Sequence, residues 1–508
     1  MDPVQLITLA IGLFMLDSSG ALLTPAAQIR SQTAAQSMRT ICDTGTGPDC
    51  NSNGVPDACD IAAGTSQDCD GGGIPDECEL GAPRLVAKLI ASNAASVDYF
   101  GGAIALDGDT ALVGATGADG GYHNSGSAYV FKRIDGAWQE VAMLTVPDVS
   151  SNAEYGGIVA LDGDVAVVSA PIRDGSSSPG AVYVFQATDG NWELAAQLDG
   201  DAGAGRSGFG HSISVSDGTV MVGNPYDGDL GNYGGAVYVF RETDGGWNRV
   251  AKLTATDTEA GDSFGGSVAV QHDTVVIGAL GDDDAGNDAG AVYVFSAVNG
   301  DWFQVAKLNR ADVIDILGSR CYGFGDSVAL DGDTILVGSI MCFSEGGAYL
   351  YRHIGGRWQQ ICKLSSPAPE DYGFGGGVSL GGGTAVVRSG ATRYVYRETA
   401  GTWRLTSRLN PPAGGIGDGF VVHGDTALIG ASDRNQVPPW SGAVYVFDLS
   451  GPVNDCNFNG IPDGCDIGAG TSYDCDADGL PDECVQPVGI ADCNRDGIAD
   501  ACDLTAGT

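Results

Sequence analysis

Between residues 84 and 451 the apolar positions fall into short runs of Val, Ala, Ile, Leu, Tyr and Phe, each closed by a turn rich in Gly and Asp. Ser263 to Leu308 shows the pattern most cleanly. It reads S-F-G-G-S-V-A-V, a tight turn, T-V-V-I-G-A, a Gly- and Asp-rich loop, A-V-Y-V-F, a second turn, and W-F-Q-V-A-K-L. Short runs rich in β-branched and aromatic residues and bounded by turn residues predict strands, here four to a unit.

The unit recurs. The Tyr of the A-V-Y-V-F run falls at Tyr129, Tyr183, Tyr238, Tyr293, Tyr349, Tyr394 and Tyr445. The V-A-K-L run starts at Val86, Val141, Ala195, Val250, Val305, Ile361 and Thr406, so both markers give seven copies, mostly 54 to 56 residues apart. Four strands per repeat at this period predict radial propeller blades. The phase predicts how the ring closes. The chain enters on a fourth strand, Arg84 to Leu89, and leaves on a third strand, Ala443 to Phe447. The orphan first strand fits the vacancy in the last blade and removes the sheet edges a linear array would expose. The expected fold is all-β: a seven-bladed β-propeller over 84–451, closed by an N-terminal strand.

Charge narrows the partners. There are 65 Asp+Glu against 24 Lys+Arg, a formal net charge of -41. So acidic a surface is repelled by phosphate backbones, which argues against nucleic acid and for divalent cations as counter-charge. Residues 4 to 16 are apolar and followed by small residues; at 13 residues the run suits a signal-peptide core better than a membrane span. Residues 1–27 are therefore expected to be a signal peptide or N-terminal anchor. Localisation is expected to be secreted or cell-surface, with no stable membrane span after signal removal.

The segments flanking the blades, 41–80 and 453–508, carry metal-ligand spacing. Asp49, Asn51, Asn53, Asp57 and Asp60 put oxygen side chains at loop positions 1, 3, 5, 9 and 12, with Gly54 at 6 and the Val55 carbonyl at 7. A hard cation needs six to eight oxygens, and Gly at position 6 lets the chain turn around it. The next unit keeps Asp68, Asp70, Asp76 and Glu79 but has Gly72 at position 5, so weaker binding is expected there. Beyond the blades, Asp455, Asn457, Asn459, Ile461, Asp463 and Asp466 match fully, as do Asp492, Asn494, Asp496, Ile498, Asp500 and Asp503. Between them Asp474, Asp476, Asp478, Leu480 and Asp482 match until Val485 at position 12. Each loop has Cys at positions 2 and 11 (Cys50/Cys59, Cys69/Cys78, Cys456/Cys465, Cys475/Cys484, Cys493/Cys502). Core-poor segments of this kind need staples, and disulfides imply an oxidising compartment. Pairing within a loop and pairing between loops both remain open. These segments resemble thrombospondin type 3 repeats and the calcium loop of dockerins, which implies bound Ca2+.

Within the blades, Phe100-Gly101, Phe209-Gly210, Phe264-Gly265, Phe324-Gly325 and Phe374-Gly375, with the following G-A, resemble FG-GAP repeats, the units of integrin alpha-subunit heads. Blade two has Tyr155-Gly156, and blade seven inverts the pair as Gly419-Phe420. The resemblance implies an extracellular, non-enzymatic adhesion or ligand-binding propeller. Integrin-type blades hold a calcium loop between their first two strands. Here that hairpin is only Asp107-Gly108-Asp109, Asp162-Gly163-Asp164 or Asp331-Gly332-Asp333, a turn too short for a cage.

Strand alternation puts the long loops on one rim: Thr116–Ser127, Pro225–Gly235, Gly281–Gly290 and Ser432–Ser441 between second and third strands, Ser92–Tyr99 and Arg310–Cys321 between blades. Variable loops on a rigid scaffold are where binding concentrates. The expected partner is an extracellular protein or polysaccharide meeting that rim. Asp227, Asp229 and Asp282-Asp283-Asp284 read there as a solvated acidic rim, with cation ligation the alternative. Trp138, Trp192, Trp247, Trp302, Trp358 and Trp403 precede the outer strands and read as perimeter packing, whereas Trp440 reads as an exposed sugar-stacking candidate. Cys321 and Cys342 read as a pair. Cys362 stands for Ala in a V-A-K-L run, and Cys42 is left to pair with it or stay free. Gly261-Asp262-Ser263-Phe264-Gly265 matches G-x-S-x-G, but that elbow needs a strand-to-helix turn, and the five histidines form no motif with it. His211 and His423 fall near the inner strands, where local hydrogen bonding is expected. The expected function is non-enzymatic adhesion or ligand binding; polysaccharide recognition, a structural spacer and a secreted hydrolase are the alternatives.

Overall fold

In the computed structural model, residues 83–450 are described, apart from 120–124, 147–152, 172–179, 202–207, 244, 287–288, 310–321, 342–345, 367–372, 400, 411–418 and 432–438. The chain divides into two compact units, Met1–Leu80 and Gly81–Thr508, and every described residue lies in the second. The flanking calcium loops, the N-terminal apolar run, Cys42, Cys321 and Cys342 lie outside the described residues.

Among the described residues, twenty-eight strands form seven four-stranded antiparallel sheets. Six are consecutive meanders, for example Phe264–Gln271, Thr274–Ala279, Ala291–Val298 and Asp301–Leu308. The first strand of each blade packs on the first strands of its neighbours around the axis, so it is innermost and the fourth is outermost. The seventh sheet joins Phe420–His423, Thr426–Ala431 and Ala443–Asp448 to Arg84–Leu89. The closure expected from the phase of the repeat is present: Leu85 pairs with Phe447 and Leu89 with Val444. An ion pair, Arg84 Nη2 to Asp448 Oδ2 at 2.9 Å, fixes the same junction.

Every blade has an irregularity between third and fourth strands, at one register position. Val294 faces Ala306 and Phe295 faces Gln304, leaving Val305 as the extra residue. The equivalent extra residues are Val86, Val141, Ala195, Val250, Ile361 and Thr406. These are the residues that start each V-A-K-L run. A bulge leaves one residue unpaired and twists its strand, which explains why Val305 is 56% exposed although apolar. Bulged outer strands also blunt the seven sheet edges against edge-to-edge pairing.

The F-G and G-A pairs build the seams. Phe100, Phe209, Phe264, Phe324 and Phe374, with Tyr155 in blade two, are essentially fully buried. Each ring meets the Tyr of its own third strand, mostly edge-on, as Phe264 meets Tyr293 at 5.5 Å. Burying one such ring stabilises by about 1.5–3 kcal/mol. Gly265 sits at φ +90°, and a Cβ there would stand 2.7 Å from the Ala236 carbonyl oxygen of the preceding blade. On the facing side, a Cβ at Gly278 or Gly290 would overlap the backbone of Gly325 or Phe324 in the next blade. The glycines of G-A and of the second strand thus receive the F-G backbone of the following blade.

The seam between blades six and seven breaks this rule on both sides. Blade seven has Gly419-Phe420, and blade six carries Arg388 and Ala391 where the facing glycines stand elsewhere. Arg393, fully buried, fills the space with its guanidinium over the Phe420 ring at 5.4 Å and an Nη1 bond to the Ala391 carbonyl at 2.7 Å.

Candidate functional site: the long-loop rim and the channel mouth

First strands start, second strands end, third strands start and fourth strands end on one rim, which carries the long loops. In blades three and four those loops are fixed by an internal cluster. The Lys of V-A-K-L pairs in register with the Tyr of A-V-Y-V-F, and the ammonium lies over the ring: Lys252 over Tyr238 and Lys307 over Tyr293, both 5.1 Å. Lys307 Nζ also reaches Asp282 at 2.8 Å, Asp284 at 2.5 Å and Asp257 at 2.9 Å, while the Tyr293 hydroxyl donates to Asp282 at 2.7 Å. Lys252 holds Asp227 and Asp229 in the same way, with the Tyr238 hydroxyl on Asp227 at 2.6 Å. Burial disfavours the Lys307 charge, but the carboxylates of Asp282 and Asp284 outweigh it and hold the ammonium well above its usual range. Burial, with the Asp282 carboxylate next, raises the Tyr293 hydroxyl despite the lysine.

This corrects the sequence expectation for the acidic rim. Asp227 and Asp282 are buried rather than solvated, and the cation they face is a lysine from the same blade, whereas Asp229 and Asp284 keep exposed side chains as expected. Among the described residues no group of three or more His, Cys, Asp or Glu could hold a metal ion.

The rim presents aromatic side chains at equivalent loop positions. Tyr233 and Trp440 both have positive φ, +64° and +60°. The reason lies in the next blade: the Tyr233 carbonyl accepts from Ser263 N at 2.9 Å, and the Trp440 carbonyl from Tyr99 N at 3.1 Å. Non-glycine residues rarely hold this conformation, and such strain concentrates at functional sites. Trp440 is half-buried rather than exposed, because it packs on Tyr99, ring centres 6.4 Å apart; Tyr99 itself is 42% exposed. Tyr233 packs edge-on against Tyr226 at 5.6 Å, and Tyr226 against His211 at 6.0 Å. An aromatic line therefore runs from the loops of blade three to the axis.

At the axis the residue after each F-G pair rings the channel mouth. It is Gly102, Gly157, Gly266 and Gly376 in four blades, but His211 in blade three and Asp326 in blade five. Arg388 comes from blade six. The charges of Arg388 and His211 both act on the Asp326 carboxyl, which burial nonetheless raises above its usual range. Arg388 Nη2 donates to the Gly376 carbonyl at 2.9 Å, and His211 Nδ1 lies 3.3 Å from the Gly266 carbonyl. Arg388 was missed from the sequence, although its signal was there: T-A-V-V-R-S replaces T-V-V-I-G-A.

The opposite rim is built from the short hairpins, and their side chains hold neighbouring turns. Asp107 accepts from Gly163 N at 2.8 Å, Asp162 from Asp217 N at 2.7 Å, and Asp331 from Gly382 N at 2.8 Å. These carboxylates form turns and tie blades together. His272 Nδ1 meets Asp217 at 2.5 Å in an exposed pair, and that bond raises the imidazole above its usual range. His423 lies 4.0 Å from Asp107.

The remaining sequence expectations are placed as follows. Trp138 and Trp403 are buried, and Trp192, Trp247, Trp302 and Trp358 pack half-buried on the blade cores, the perimeter role expected of them. Cys362 is a free thiol packed against the core of blades five and six. Ser263 sits at φ +56° in a blade-to-blade link before a strand, not in a strand-to-helix turn, and its hydroxyl lies 3.4 Å from the Gly261 carbonyl.

The fold and its seams define a closed seven-bladed β-propeller. The FG-GAP repeat family model matches four of its units, at residues 84–131, 138–185, 192–240 and 247–295. Each match spans the outer strand of one blade and three strands of the next, the same offset that makes the ring close. No curated protein matches the chain. Among solved structures it is similar to a putative 6-phosphogluconolactonase from Bacteroides uniformis ATCC 8492, at 13% identity over 60% of this chain and 84% of that one, with a TM-score of 0.41. It is also similar to a chain of the mitotic checkpoint complex, at 10% identity over 72% of this chain and 94% of that one, with a TM-score of 0.43. Neither likeness bears on function.

Proposed function

We propose that this chain is an extracellular, non-enzymatic ligand-binding propeller acting in adhesion, which meets its partner through the long-loop rim. The observation that carries this reading is the repeated aromatic presentation on that rim. Tyr233 and Trp440 occupy equivalent loop positions, are held in the left-handed region by the next blade, and stand beside the half-exposed Tyr226 and the exposed Tyr99. Rigid aromatic anchors lose little entropy on binding and are enriched where proteins recognise ligands. FG-GAP repeats support an extracellular setting. No helix among the described residues is long and apolar enough to cross a membrane.

The flanking repeats add calcium to the proposal. Their donor set is all oxygen, from Asp, Asn and backbone carbonyl, which suits a hard cation of flexible geometry. Asp57, Asp463 and Asp500 sit at the same loop position in three of them. Calcium there would order segments that have little apolar core of their own. The test is to probe the exported chain against arrayed extracellular proteins and glycans, with calcium and then with chelator. Calcium-dependent capture of a ligand is expected. Silence on the array together with a calcium-dependent rise in Tm would instead assign the chain a spacer role.

A further inference from the structure

Three departures from the repeat meet at one place. The position after F-G is Gly in four blades, where a bare backbone suffices for packing, yet blades three and five carry His211 and Asp326. Second strands in blades one, three, four, five and seven carry Gly at the position where blade six has Arg388. His211 and Asp326 stand where other blades pack with Gly, and Arg388 belongs to the rebuilt seam between blades six and seven. All three still converge on one arc of the channel mouth, spanning blades three to six: His211 and Asp326 hold equivalent positions on innermost strands, and Arg388 Nη2 lies on the carbonyl of Gly376, the same position in blade six, at 2.9 Å.

The chemistry of that arc is mixed in sign. A guanidinium and an imidazole offer donors and a carboxyl offers acceptors, while the Gly376 carbonyl accepting from Arg388 and the Gly266 carbonyl beside His211 Nδ1 orient those two side chains. An anionic ligand would approach against a formal charge of -41. A cationic one would meet Arg388 and His211 at the site itself. A neutral ligand with many hydroxyls meets neither obstacle, because each hydroxyl both donates and accepts. The half-buried line His211–Tyr226–Tyr233 extends the arc outward and supplies flat apolar faces and edges of the kind on which pyranose rings pack.

The geometry points to a saccharide site at the channel mouth: a neutral sugar residue hydrogen-bonded by His211, Asp326 and Arg388, with the next residue of the oligosaccharide lying along Tyr226 and Tyr233. This deepens the ligand-binding reading above and rests on it. The variants that test it are built into the repeat. His211→Gly and Asp326→Gly install the residue that four other blades already have, so the ring is expected to fold, which Trp fluorescence through a urea titration checks. Full-length chain is titrated by calorimetry with neutral gluco-, galacto- and manno-oligosaccharides, their uronic-acid and amino-sugar counterparts, and the protein baits of the array. Binding to a neutral oligosaccharide is expected, about ten- to a hundredfold weaker in either Gly variant, and unchanged in His272→Ala on the opposite rim. Sugar binding equal in wild type and both Gly variants would overturn the channel-mouth site and leave the ligand-binding reading standing, as would capture of a protein bait without any neutral sugar. Binding to nothing offered would overturn both.

Discussion

Replacing Gly265 by Ala tests the seam directly. Gly265 is the glycine of an F-G pair, at φ +90°, and its added Cβ would stand 2.7 Å from the Ala236 carbonyl oxygen and 3.1 Å from Val237 Cγ2. Two costs follow. Placing an L-residue in the left-handed region costs about 1–2 kcal/mol. Overpacking a closed interface adds about 1–3 kcal/mol, because backbone carbonyls cannot swing aside as a flexible side chain can. Gly218→Ala is the control: its φ is +65°, yet nothing lies within 4 Å of the new Cβ, so it carries the first cost alone. Both substitutions stiffen the unfolded chain equally, so that effect cancels in the difference. All seven Trp lie between residues 138 and 440, so their fluorescence through a urea titration reports the propeller. Gly265→Ala is expected to lose about 1–3 kcal/mol more than Gly218→Ala. Equal losses would show that the F-G backbone does not dock on the preceding blade as described.

Three further outcomes are expected. Lys307→Met leaves the buried Asp282 carboxylate with the Tyr293 hydroxyl and the Asp284 N–H but no cation, and a urea midpoint should report a loss of about 3–5 kcal/mol; Asp284→Asn, at a 59% exposed side chain, should stay within about 1 kcal/mol of wild type. The Arg352 guanidinium grips Glu398 with two bonds of 2.8 Å and holds that carboxyl below its usual range. A depressed folded-state pKa stabilises above the unfolded value and fades as pH falls through the folded one, so acid unfolding of Glu398→Gln should lack that part of the slope below about pH 4.5. Replacing Asp57, Asp463 and Asp500 together by Ala should lower calcium bound per chain in equilibrium dialysis and leave the Trp-reported urea midpoint unchanged.

Much of the architecture is legible in the sequence because its markers are geometric necessities. The V-A-K-L start marks the bulge, the Tyr of A-V-Y-V-F faces the Lys in register, and the F-G and G-A glycines face each other across seams. Period and phase therefore give blade number and closure. The rim chemistry was harder to read because it depends on pairings between strands. Asp282 and Asp284 read as part of a solvated acidic rim, with cation ligation the alternative, until the register brings Lys307 over Tyr293 and onto both carboxylates. Trp440 looks exposed until the blade-to-blade link places Tyr99 beneath it. At the channel mouth the sequence places His211, with His423, near the inner strands and expects local hydrogen bonding of both, whereas Asp326 and Arg388 show their place only once blades three, five and six share an axis.

The most direct measurement compares the two rims. The ligand captured by the wild-type chain is titrated against a long-loop variant, Tyr233→Ala with Trp440→Ala, and a short-turn variant, Asp217→Asn with His272→Ala, each checked for an unchanged urea midpoint. Binding lost in the first and retained in the second is the predicted result. Binding retained in the first and lost in the second would place the partner on the opposite rim and contradict the account.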